Sequence, residues 1–214
     1  MMEDDKVPEV PLRRRRKDDR PAEIIDAALG EFVMNGFAAT KLSDVAQRAG
    51  VVKGTLYRYF ETKEALFRAV VRHLQAENLA VARQAGFQDM IPFAQAVPTM
   101  LTRIARTVGT SQIPAIVRMV LAESRSFPDL ASIWHDEVVA PMLEVLTAII
   151  SGAQARGEVA PGDPRLHAMS LIGPMLMGTL YLEVFRGSSN NWLDLEDLAQ
   201  QHAITVLKGM ELKP

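Results

Sequence analysis

Two short amphipathic periods divided by a glycine constrain this chain more than any other stretch. They lie between Thr40 and Lys63, in T-K-L-S-D-V-A-Q-R-A-G-V-V-K-G-T-L-Y-R-Y-F-E-T-K. Leu42, Val45, Ala46 and Ala49 recur at helical steps, which predicts a helix over about 41–49, with Thr40 as N-cap and Gly50 as a left-handed stop. After the Gly50-Val51-Val52 turn a second helix is expected over Lys53 to Tyr59. Leu56 and Phe60 would face inward, and Lys53, Thr55, Tyr57, Arg58 and Tyr59 largely outward. Two short helices around such a turn form a helix-turn-helix. The outward set suits a nucleic-acid duplex: Lys and Arg neutralise phosphates, hydroxyls bond phosphate oxygens or base edges, and Gly54 admits close backbone approach. Spacing alone fits equally well an ordinary helical hairpin with a solvated basic face.

The longer run from Gly36 to Phe67, G-F-A-A-T-K-L-S-D-V-A-Q-R-A-G-V-V-K-G-T-L-Y-R-Y-F-E-T-K-E-A-L-F, resembles the DNA-binding segment of the TetR family of bacterial transcriptional regulators. The Ala-Gly-Val turn, the Lys-Gly-Thr-Leu-Tyr start of the recognition helix and the Tyr-Phe-x-x-Lys-Glu exit carry the likeness. The resemblance implies roles by position. Thr40, Tyr57, Tyr59 and Lys63 would bind phosphates; Lys53, Gly54, Thr55 and Arg58 would lie in or beside the major groove, with Lys41 joining the contact set. Val52 departs from the pattern, standing where the family usually has a Ser or Thr cap, so a side-chain cap worth ~1 kcal/mol is missing.

Net charge is −2, divided as +1 over residues 1–63 and −3 over 64–214. A protein basic all over is excluded, and the asymmetry points only weakly to DNA at one end. With no cysteine there is neither a disulfide framework nor a thiolate nucleophile. The N-terminus lacks the apolar core of a secretory signal, and the longest uncharged span, Leu166 to Leu182, falls short of the ~20 apolar residues of a membrane helix. A cytoplasmic protein is expected.

Residues 1–20 are charged, contain two prolines and show no periodicity, which predicts a disordered basic arm whose Arg13-to-Lys17 run either follows DNA or stays solvated. A head over 21–66 and a helical body over 67–214 should follow. Pro21 suits the first turn of a bracing helix with Ile24, Ile25, Ala28, Leu29, Phe32 and Val33 inward, ended by Asn35-Gly36. A long helix from Thr62 to about Gln84 would act as a lever. Prolines at 92, 114, 128 and 164 mark helix starts near 91–108, 112–126, 128–156, 163–186 and 194–211, while Pro98, Pro141 and Pro174 would kink the helices that hold them. The fold class expected is therefore all-α.

Two features of the body bear on function. Leu166, Ser170, Gly173, Met177, Leu180 and Val184 recur near a 3.5-residue period with small residues among them, and Leu198, His202 and Thr205 lie on the last helix. Such a stripe serves a core or a dimer face; TetR-like proteins are twofold dimers through their last two long helices, which favours the dimer. Met100, Met119, Met142 and Met175, with Phe127, Trp134 and Tyr181 as aromatic walls and Glu123 as polar anchor, fit either a Met-rich core or an adaptable ligand pocket. In its C-terminal part, A-E-S-R-S-F-P-D-L (Ala122 to Leu130) and A-R-G-E-V (Ala155 to Val159) resemble the AefR-like branch of the family.

His73 with Glu77, and His135 with Asp136 and Glu137, supply too few convergent ligands for a metal. No cofactor is expected, and no catalytic motif supports an enzyme. The resemblance implies a homodimeric, ligand-responsive repressor released from operator DNA by a small apolar or amphipathic molecule. The alternatives are a dimeric DNA-binding regulator with no effector, or a helical enzyme or scaffold with an incidental helix-turn-helix.

Overall fold

A computed structural model describes residues 20–87, 91–189 and 192–210, apart from the side chains of residues 77, 81 and 84–87. The arm expected before residue 20 lies outside the described residues. Every regular element among those described is helical.

The first helix, α1 (Arg20–Ala39), buries Ile24, Ala27, Ala28 and Phe32 at helical spacing and breaks at Gly36, whose φ of 75° and ψ of 174° turn the chain into an elbow. Beyond the elbow Phe37 tucks back onto Phe32 and Phe67, with ring centroids 5.7 and 5.8 Å away. The helix-turn-helix follows as α2 (Leu42–Arg48) and α3 (Lys53–Tyr59). Gly50 has a φ of +63°, the left-handed stop expected of it.

One expectation fails here: Thr40 does not cap α2. Lys41 occupies the N-cap position without a side-chain bond. Thr40 is 2% exposed, and its hydroxyl donates to Gly36 O at 2.6 Å and Glu31 O at 3.2 Å. The glycine turn leaves carbonyls without helical partners, and a buried hydroxyl nearby is best used on them.

The lever, α4 (Lys63–Phe87), begins with Thr62 Oγ1 accepting from Ala65 N. The boundary expected at 66/67 falls inside this helix, and Leu66 and Phe67 are both fully buried in one cluster. The body comprises α5 (Phe93–Gly109), α6 (Ile113–Glu123), α7 (Pro128–Trp134), α8 (Ala140–Ala155), α9 (Pro164–Phe185) and α10 (Leu195–Met210). Asp163 caps α9, accepting from Arg165 N ahead of Pro164.

The rod expected over 128–156 is interrupted by one π-helical turn, His135–Val139, just before Pro141. Proline offers no N–H to the carbonyl four residues back and crowds it, and a wider turn relieves both. The turn also carries Glu137, which accepts from Arg68 at 2.5 Å and from Arg72 at 2.7 and 2.9 Å. The hydrogen bond from Arg72, followed by that from Arg68, holds the Glu137 carboxyl below the usual glutamate range against the opposing effect of burial.

Two apolar clusters result. One joins α1–α4 with Ile116, Met119, Val120, Leu130 and Ile133, so the head's core is closed by α6 and α7. The other fills the body between α5, α6, α8, α9 and α10, and takes in Ala82 of the lever. The lever thus borders both.

Candidate nucleic-acid interface

Helix α3 offers one buried residue, Leu56, and turns the rest of its short length outward. Lys53, Gly54, Tyr57 and Arg58 are exposed, Thr55 and Tyr59 half-buried. The Lys53 ammonium lies 5.6 Å from the Tyr57 ring centroid and the Arg58 guanidinium 5.1 Å from that of Tyr59. Arg58 Nη2 also donates to the Tyr59 hydroxyl at 3.3 Å. These contacts hold the cations over aromatic faces at modest gain on an exposed surface, so a phosphate or guanine can take them over at little cost.

A Cβ at Gly54 would meet nothing within 4 Å, so this edge of the helix is open to a ligand backbone. Lys41 is exposed at the start of α2. Val52 is 73% exposed in extended backbone (φ −73°, ψ 147°), and no side chain caps α3.

Two expected phosphate contacts sit differently. Thr40 has no side-chain surface to offer, for the reason given above. Lys63 points its ammonium at the elbow, donating to Phe37 O at 2.6 Å, Thr40 O at 3.1 Å and Ala38 O at 3.3 Å, and lies 4.4 Å from the Phe37 ring centroid. A positive charge beside three backbone carbonyls is well satisfied where it is. Sequence spacing could not reveal this, because the elbow is made by Gly36, far back along the chain.

The eight expected pocket residues are not brought together. Met119 and Phe127 pack with the head cluster, whereas Met100, Met142 and Met175 belong to the body cluster, and Trp134 touches both. Tyr181 meets the Phe185 ring at a tilt, 4.7 Å between centroids, and Trp192 edge-on at 5.9 Å. Glu123, expected as a ligand anchor, reaches the head instead: Oε1 accepts from Phe37 N at 3.1 Å and Oε2 from Ala38 N at 2.7 Å. Two described cavities lie elsewhere, one lined by Ile25, Tyr59, Phe60, Arg68, Arg72 and His73, the other by Phe93, Glu158, Val159 and Met210.

Polar groups that the sequence reading missed lie inside the lever. Gln75 and Asn78 are 7% and 2% exposed, Asn78 Nδ2 donates weakly to Gln75 Oε1 at 3.4 Å, and Asn78 Oδ1 has no partner among the described residues.

The expected dimer stripe divides. Leu166, Met177 and Val184 are 66%, 67% and 62% exposed, Ser170 and Thr205 are exposed, and a Cβ at Gly173 would meet open space. Leu180 and Leu198 instead pack on the chain's own body cluster, and His202 Nε2 donates to Leu171 O at 2.9 Å. Leu198 and His202 of α10 are therefore spent on holding α9. Met169, Leu176 and Ile204, exposed by about half, extend the outer apolar face.

Residues 24–70 match the family model described as bacterial regulatory proteins, tetR family, and residues 92–183 match that of the tetracyclin repressor-like C-terminal domain. The HTH-type transcriptional regulator RutR of Escherichia coli K12 is 29% identical over 174 residues, 75% of this chain and 73% of that protein. Among solved structures, a putative TetR-family transcriptional regulator from Mesorhizobium loti superposes with a TM-score of 0.76 at 24% identity, covering 92% of this chain and 99% of that one. The regulator FadR from Bacillus subtilis, solved in complex with stearoyl-CoA, gives 0.71 at 19% identity over 89% and 99%.

Proposed function

From the premise that this chain belongs to the TetR family of DNA-binding transcriptional regulators, we propose that it is a homodimeric repressor, released from its operator by a small molecule. The observation that carries the DNA reading is the outward face of α3. Lys53, Tyr57 and Arg58 stand exposed beside an uncovered Gly54, on a helix whose inner side is fixed by Leu56 alone. Lys53 and Arg58 would meet phosphates or guanine edges and Tyr57 a phosphate, with Thr55, Tyr59 and Lys41 beside them.

The apolar outer face of α9 supports the dimer. Its most apolar 18-residue window has a mean hydropathy of 1.4, yet only 28% of that window is buried within one chain. By length and composition α9, and the rod 128–155, would suffice to cross a membrane, which corrects the shorter estimate from the uncharged span. A stripe with Ser170 and an open Gly173 at its centre fits a second copy of the same helix better than lipid all round. We read the protein as cytoplasmic.

Release by an effector is supported by Gln75 and Asn78. An acceptor buried without a partner costs about 1–3 kcal/mol, and a small molecule donating to Asn78 Oδ1 would recover that cost on the lever itself. FadR's complex with stearoyl-CoA shows that a body of this shape holds a large amphipathic ligand in that protein. The same class is the one proposed here.

Fluorescence anisotropy of the purified protein on DNA from upstream of its own gene, with scrambled DNA as control, tests the reading. Salt-dependent preference for the upstream DNA, lost in Lys53→Ala, is expected. Equal, weak binding to both DNAs, unchanged by Lys53→Ala, would refute it.

A further inference from the structure

We propose that Glu123 is a positioning residue that sets the spacing between the two DNA-reading heads. The proposal rests on the dimeric operator-binding reading above. A glutamate at the last residue of a helix opposes the negative end of the helix dipole, so α6 gains nothing locally from Glu123. Its return comes from the head.

Both carboxylate oxygens are used, Oε1 by Phe37 N and Oε2 by Ala38 N, the consecutive amides that the Gly36 elbow turns out of α1. The fit excludes a side chain at the elbow, since a Cβ on Gly36 would overlap Glu123 Oε1. One of these peptide units, that between Phe37 and Ala38, also presents its carbonyl to the Lys63 ammonium at the start of the lever, and Ala38 O, of the next unit, accepts from the same group. The elbow is therefore clasped between a carboxylate from the body and a cation from α4, and each charge reinforces the other through the peptide dipoles. Phe127, four residues beyond Glu123, adds an edge-on contact to the Phe37 ring at 5.3 Å.

The other end of this link is the dimer helix. Arg118, on the same α6, pairs with Glu183 of α9 at 3.2 Å, and α6 packs against both α1 and α9. Helix α6 is thus a strut from the face where two copies meet to the elbow beside the recognition helix. A dimer reads two half-sites only when its recognition helices sit about 34–36 Å apart. With the pin removed, the head keeps its α3 surface and its apolar contacts with Ile116, Met119 and Val120 of α6, but the elbow loses the polar contact that fixes its register on the strut, so the head can shift about the start of α4.

The experiment begins by selecting an operator from random duplex DNA with the unsubstituted protein. It then measures Kd for unsubstituted protein, Glu123→Ala and Glu123→Gln on three probes: the selected operator, a single half-site, and operators with spacers changed by one or two base pairs. The proposal expects Glu123→Ala to weaken binding to the full operator at least tenfold while changing the single half-site less than twofold. It also expects the preference for one spacer length to flatten. Glu123→Gln keeps one acceptor and should fall between, which provides a reading should the alanine variant fold poorly. A spacer profile as sharp as that of the unsubstituted protein, or an equal loss on half-site and full operator, would overturn the proposal. Selection by the unsubstituted protein that returns no paired half-sites would overturn the dimeric reading first, and the proposal with it.

Discussion

Val52→Thr should stabilise the recognition helix. Val52 already holds the extended backbone of an N-cap residue, and Thr55 N bonds back to Val52 O at 2.8 Å, so only the side-chain acceptor is missing. Supplying it is worth about 1 kcal/mol. The loss is small: Val52 is 73% exposed, so its buried quarter contributes about 0.4–0.7 kcal/mol, and threonine keeps one of the two methyls. The net gain is about 0.5–0.8 kcal/mol, or roughly threefold in a local opening equilibrium. Hydrogen exchange read by mass spectrometry on a peptide spanning residues 51–60 should show threefold slower exchange. Tm should rise by about 1–3 °C, whereas Val52→Ala, which loses packing and gains no acceptor, should speed exchange and lower Tm. If the threonine and alanine variants behave alike, the account of the missing cap is wrong.

Gly36→Ala places a Cβ at φ +75° and against Glu123 Oε1; it should cost at least about 2 kcal/mol in urea denaturation, from backbone strain and the displaced carboxylate together. Glu137 has a folded pKa depressed by Arg72 and Arg68. Its contribution is therefore complete above the ordinary glutamate value of about 4.3 and is lost as pH falls through the lower folded value. Glu137→Gln should accordingly flatten the fall of Tm below about pH 4.3, and an unchanged acid limb would count against the pairing. Met177→Arg puts a charge at a position 67% exposed in one chain; sedimentation velocity should show a monomer, with the helix content by circular dichroism kept.

The helix-turn-helix was legible because its information is local. Leu42, Val45, Ala46 and Leu56 repeat within single helices, and a left-handed Gly50 needs no distant partner, so pattern and backbone preference agree. The proline-marked helix starts at 113, 128 and 164 were readable for the same reason. Thr40, Lys63 and Glu123 have partners that their spacing did not show, and for one reason. All three converge on the elbow at Gly36, and Glu123 lies more than eighty residues from the amides it accepts. Nothing in their own neighbourhoods records that meeting.

The same division holds for the body. Sequence alone determined which residues are apolar and at what period; only packing decided which side of each stripe was spent. Leu180, Leu198 and His202 were taken by α9 and α10 holding one another, while Leu166, Met177 and Val184 were left outside. A helical period states that a face exists and carries no record of what covers it. That depends on the volume and polar groups of helices distant in sequence, which also left Asn78 Oδ1 inside the lever without a partner among the described residues.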